Sequence, residues 1–182
     1  GKLLNRAYLI SHNGKVWHQD KIFLTKWERD YGFSPGHSLT VIDHPLAKFV
    51  IMICYDSEMP ILSNRLVNIK PEVIMVPSMT ESEFALNRVR WSAQARAVEH
   101  HAYVAVAGTV GQPAEDWPQF GESFITGPQV RGFAAGHLAT APKNKPAIII
   151  SEIDIGKLRK ARPQAACYPA KDQLTRDFKF EK

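Results

Sequence analysis

The chain has 182 residues, 45% apolar and 23% charged, with a formal net charge of +5. This composition excludes a disordered chain, and the apolar runs are too short to span a bilayer, so one globular domain over residues 1–182 is expected. The basic residues lie among acids and lack interleaved aromatics, which argues against a nucleic-acid partner. Two cysteines, Cys54 and Cys167, are too few for a disulfide framework. With no charged stretch followed by an apolar leader at the start, they point to a reducing, cytoplasmic setting.

Residues 7–11 and 16–18 flank Asn13-Gly14 and predict a hairpin. The 25–38 stretch is polar, aromatic and glycine-bearing, and reads as a loop shaped over a site. Strands are expected at 39–42 and 49–53, a short helix over 60–68 that starts with Pro60, and a buried strand at 73–76. Residues 84–101 give the clearest helix, with Leu86, Val89, Ala93 and Ala97 at steps of three and four; that apolar stripe reads as core-facing. A strand at 103–108, a loop at 112–120, strands at 122–126 and 147–153 and a helix over 155–161 follow. The Lys157-to-Arg162 cluster reads as a solvated helix face, and 163–182 as an extended tail. Strand, turn, helix, strand is an α/β order.

Cys54 stands where the apolar run Phe49-Val50-Ile51-Met52-Ile53 meets the turn Tyr55-Asp56-Ser57-Glu58-Met59-Pro60. A strand-to-helix turn exposes its first residue, and a following helix N-terminus favours thiolate over thiol. The competing reading is a small buried hydrophobe, the commonest role of free cysteine. A thiolate that attacks a carbon–nitrogen bond needs a base, an oxyanion partner and a proton source for the leaving amine. The seven histidines lie in no cysteine-protease context, and His100-His101 read as cationic partners of a helix C-terminus. No histidine or cysteine spacing suggests a metal site, and no cofactor is expected. Lys21, after a strand and before Ile22-Phe23-Leu24, can bury its stem and aim its ammonium at one place, although an exposed sheet-edge lysine fits the local pattern as well.

Taken together, Gln19-Asp20-Lys21-Ile22-Phe23-Leu24-Thr25, Glu28, Gly32-Phe33-Ser34-Pro35-Gly36 and Ile53-Cys54-Tyr55-Asp56 with Pro60 resemble the nitrilase superfamily of carbon–nitrogen hydrolases. The likeness extends through Val73–Ser78, the block 94–99, Tyr103–Gly108, Gly121-Glu122-Ser123-Phe124-Ile125 and Ile153-Asp154. It is similar to the amidohydrolase branch sometimes fused to an acetyltransferase-like domain. The resemblance implies an α-β-β-α sandwich and a thiol-dependent hydrolase of a small amide. Cys54 would be the nucleophile, Lys21 and the backbone N–H of Tyr55 the oxyanion partners, and Glu28 a positioning glutamate.

Three departures accompany it. The family's general-base glutamate lies upstream of the lysine, and no glutamate precedes Lys21 here. The resemblance therefore implies a domain incomplete at its N-terminus, with the base supplied by a further segment or a separate chain. Ile61 and Gly127 stand where relatives often carry acidic residues. Nitrile hydrolysis by the same thiolate, or a non-catalytic binding or assembly subunit, are the alternatives. A sandwich lacking outer strands would expose apolar faces, so a homodimer or higher homo-oligomer is expected.

Overall fold

The apolar runs become the strands of a mixed sheet. The computed structural model describes residues 1–115, 117–175, 177 and 179. Strands β1 (Arg6–Ile10) and β2 (Val16–Asp20) form an antiparallel hairpin, and helix α1 (Lys26–Asp30) follows. Next come β3 (Val41–Asp43), β4 (Lys48–Ile51), the 3-10 turn Cys54–Glu58, α2 (Pro60–Ile69), β5 (Val73–Ser78), α3 (Glu83–His100) and β6 (Tyr103–Gly108). Strands β7 (Phe124–Thr126) and β8 (His137–Thr140), then α4 (Ile155–Ala161) and α5 (Pro169–Asp172), complete the order.

Six strands lie in the order β3-β4-β5-β6-β7-β8, with β4, β5 and β6 parallel and the others antiparallel to their neighbours. The parallel trio is joined by α2 and α3, as parallel strands require a crossover. Register places Val50, Ile74 and Val104 side by side, and these fully buried residues pack under Leu66, Val89, Ala93 and Ala97. On the opposite face Ile42, Ile51 and Ile53 meet Ala7, Leu9 and Trp17 of the hairpin. The layers are therefore hairpin sheet, large sheet and helices, the α/β class read from the sequence. Tyr8, Ile10 and Val16 on the outer face of the hairpin are exposed.

Several expectations are corrected. The 25–38 stretch contains α1, whose start is fixed by a capping box between Thr25 and Glu28. Residues 147–153 form no strand: Ile148 is 92% exposed and Ile150 86%, because no described strand offers them a ladder. The strand expected at 122–126 is shorter, β7, and pairs with β8, which lacked an alternating apolar pattern. The 163–182 tail is not extended through residue 175: it carries α5 and two 3-10 turns, with Tyr168 stacked on His101 at 4.7 Å between ring centres. Residues 176, 178 and 180–182 of that tail lie outside the described residues. Nor is the Lys157-to-Arg162 cluster simply solvated. Arg159 grips Glu72 with two hydrogen bonds of 2.6 and 2.9 Å, and buried Arg162 donates to the carbonyls of Lys70, Pro71 and His101. Those carbonyls gather at the C-terminal ends of α2 and α3, where a guanidinium is favoured.

His100 and His101 are likewise buried rather than cationic caps. Burial, with Arg96 nearby, pushes His100 down to about 4, so it is neutral at pH 7 and shares a 2.8 Å hydrogen bond with Ser63. Replacing Ile74 by Ala should destabilise the fold by about 2–5 kcal/mol in urea unfolding, whereas Ile148→Ala should change stability by less than about 0.5 kcal/mol.

Candidate functional site

The C-terminal ends of β4, β5 and β6 open onto a cleft of about 810 Å³. Cys54 sits there at the first residue of its 3-10 turn, with φ of 49°, a left-handed backbone that a non-glycine residue rarely adopts. Such strain persists only where surroundings impose it. Here the Ser57 hydroxyl donates to the Cys54 carbonyl at 2.7 Å, and the Asp56 N–H donates to the Ile53 carbonyl at 3.0 Å. The Sγ lies 3.5 Å from the Ser78 hydroxyl and 3.5 Å from the Met79 carbonyl, both at the end of β5. A helix does not follow Cys54 directly: α2 begins six residues later with Pro60 at its first turn.

Lys21 follows β2 and is 3% exposed. Its backbone is pinned on both sides, the N–H donating to Asn5 at 2.8 Å and the carbonyl accepting from Gly36 at 2.7 Å. Gly36 is required by that approach, since a Cβ would meet the Asp20 carbonyl oxygen at 2.6 Å. The ammonium donates to Glu28 Oε2 at 2.6 Å. Glu28, also 3% exposed, further accepts from Asn5 Nδ2 at 2.7 Å and from the Thr25 N–H and hydroxyl at 2.8 and 3.0 Å. Burial alone would raise the Glu28 carboxyl, but these donors together hold it below the usual carboxylate value.

All three predicted side chains, Lys21, Glu28 and Cys54, line this one cleft. Tyr55, the predicted backbone oxyanion donor, follows Cys54 in the 3-10 turn but is not itself among the residues that line the cleft. The sequence reading gave no role to Asp56, which ties the two halves together. Its buried carboxylate accepts from the N–H groups of Phe23 at 2.7 Å and Ile22 at 3.2 Å, linking the turn after Cys54 to the segment after Lys21. Its place two residues after Cys54 was the available signal. Also missed were Asn5, Ser78 and an aromatic wall in which Trp27 of α1 meets Trp117 of the 112–120 loop at 5.1 Å. The described residues contain no cluster of three or more potential metal ligands and no helix long and apolar enough to cross a membrane.

A cysteine at the strained start of a 3-10 turn and a buried lysine–glutamate pair thus line one cleft. Comparison with known proteins agrees at the level of family. The profile of the carbon-nitrogen hydrolases matches residues 1–163. "Probable hydrolase YhcX" of Bacillus subtilis is 34% identical over 178 residues, covering 95% of this chain and 35% of that protein. "Deaminated glutathione amidase" of Bos taurus is 30% identical over 133 residues, 71% of this chain and 38% of that protein. Among solved structures, Saccharomyces cerevisiae Nit3 superposes with a TM-score of 0.76 at 22% identity, over 90% of this chain and 58% of Nit3. XC1258 of Xanthomonas campestris gives 0.78 at 15% identity, over 98% and 66%. The chain belongs to the carbon–nitrogen hydrolase family. It spans about a third of the Bacillus relative's length.

The Glu28 carboxyl has a folded pKa below its ordinary 4.5, so its stabilising contribution is complete above that value and lost as pH falls through the folded one. Glu28→Gln, which leaves Lys21 buried without its partner, should cost about 3–5 kcal/mol near neutrality. Urea unfolding across pH should show that gap narrowing below about pH 4.5.

Proposed function

We propose that the domain to which this chain belongs hydrolyses a small non-peptide amide through a cysteine thioester. One observation carries this reading: Cys54, left-handed at the start of its 3-10 turn, and Lys21, clamped by Glu28, line the same cleft. The Cys54 thiolate attacks the carbonyl carbon, and the carbonyl oxygen takes up negative charge between the Lys21 ammonium and the Tyr55 N–H. The C–N bond then breaks and the amine or ammonia leaves with a proton. Water attacks the thioester, releasing the acid and restoring the thiol. Glu28 holds the ammonium in place by accepting one of its three N–H groups, which leaves two for the substrate oxygen.

The proton from the thiol goes to a glutamate from outside the described residues, on a further segment or a separate chain, and returns through it to the leaving amine. The name amidase carried by the bovine relative favours an amide over a nitrile. Trp27 and Trp117 offer the acyl portion a flat apolar wall.

The same reading includes a homodimer. Phe84, Trp91 and Val98 recur every seven residues on the exposed face of α3, at 82%, 64% and 42% exposure, while Leu86, Val89, Ala93 and Ala97 point into the core. With Trp91 midway, a two-fold antiparallel pairing sets Trp91 against its copy and Phe84 opposite Val98.

Ammonia release from a panel of short primary amides, by this chain together with the segment or chain that carries the glutamate, tests the chemistry. Cys54→Ala should abolish release, and Lys21→Ala should lower kcat by about 10²–10³. Equal, negligible release with the wild-type chain and with Cys54→Ala would remove the catalytic reading. Light scattering of Trp91→Glu should report a monomer where the wild type is a dimer.

A further inference from the structure

A second cavity, of about 590 Å³, lies at the opposite end of the parallel strands. Its walls come from elements that meet nowhere near Cys54: the turn before β4, the junction between α2 and β5, and the chain after α4. Lys48 and Glu72 stand at the starts of strands whose far ends carry the Cys54 turn and Ser78.

Charge is unevenly distributed there. Lys48, Lys70, Arg159, Arg162 and Lys171 line the cavity against only Asp43 and Glu72, an excess of three positive charges (five minus two). Both carboxylates are already engaged: Glu72 by Arg159 and by the Lys48 N–H at 2.8 Å, Asp43 by Lys48 Nζ at 3.8 Å. Arg162 spends its hydrogen bonds on carbonyls at the ends of α2 and α3. Counting those two helix ends as about half a negative charge each still leaves an excess of about two. Lys70 and Lys171 are exposed, and among the described residues no carboxylate lies within ion-pair distance of either.

We propose that this cavity binds a small phosphorylated molecule, its phosphate held by the Lys70 and Lys171 ammonium groups. A phosphate monoester carries about −1.5 to −2 charge, which matches the excess, whereas a single carboxylate would leave cations uncompensated. The volume falls within the about 300–1,000 Å³ of small-molecule sites, so more than the phosphate itself is accommodated. Tyr168, held rigid by its stack on His101, and Pro163 supply the less polar walls for that remainder. The site does not depend on the hydrolase reading, because it shares no lining residue with the cleft.

Isothermal titration of the purified chain with AMP, adenosine and inorganic pyrophosphate tests the proposal at about 20 mM ionic strength, where screening is weak. AMP should bind and adenosine should not; pyrophosphate binding would identify phosphate as the recognised group. The double variant Lys70→Glu/Lys171→Glu should weaken AMP at least about tenfold, while its circular dichroism matches wild type. If charge reversal perturbs folding, Lys70→Gln/Lys171→Gln should still weaken binding. Cys54→Ala should bind AMP as the wild type does, which separates this site from the chemistry of the cleft. Absence of AMP binding, equal affinity for adenosine, or undiminished affinity in a folded double variant would overturn it.

Discussion

A buried ammonium must be met by a carboxylate, and the Lys21–Glu28 pair is the constraint around which the cleft is built. Removing both charges from water costs several kcal/mol per ion, a cost offset only by close geometry and full hydrogen bonding. Glu28 meets that requirement with donors from Asn5, Lys21 and Thr25, which come from before β1, after β2 and the start of α1. The pair thereby fixes the path of the chain from residue 5 to residue 28. Asp56 extends the constraint across to the Cys54 turn by accepting from Ile22 and Phe23. Cys54 and Lys21, 33 residues apart in sequence (54 minus 21), are thus held by polar contacts as well as by the sheet.

The parallel trio β4-β5-β6 gives the domain two chemically different ends. At the C-terminal ends, strand termini and the turn after β4 leave a cleft with a thiol, a buried ion pair and an aromatic wall. At the N-terminal ends, helix C-termini and the last turns of the chain gather cations in excess of acids. Between them runs a continuous apolar core, so the polar groups at one end are insulated from those at the other. Exposed apolar side chains on the hairpin, on α3 and at residues 148 and 150 mark surfaces that this chain leaves uncovered.

Legibility followed periodicity and burial. Residues 73–76 and 103–108 read as strands because both faces are covered, and α3 read as a helix because its core face repeats at steps of three and four. Residues 147–153 have the same apolar, β-branched character, yet a strand needs a neighbour, and none of the described strands supplies one. In the opposite sense, β8 has little alternation and is a strand because β7 offers it a ladder. Lys21, Glu28 and Cys54 were legible through the motif blocks they occupy. Asp56, Asn5 and Trp117 were not, since their roles arise from contacts with segments far away in the chain.

Local sequence determined the elements whose cause is local: the hairpin at Asn13-Gly14, the helix start at Pro60, the capping box of Thr25 and Glu28, and the apolar runs of the parallel strands. It also determined the family, through ordered blocks that match along residues 1–163. Tertiary structure alone decided which charges are buried and with whom. Arg162 read as solvated and His100 as a helix-end partner from their neighbours in sequence, and both are inside because distant carbonyls and hydroxyls receive them. Pairing of that kind depends on distances through space, which no local pattern encodes.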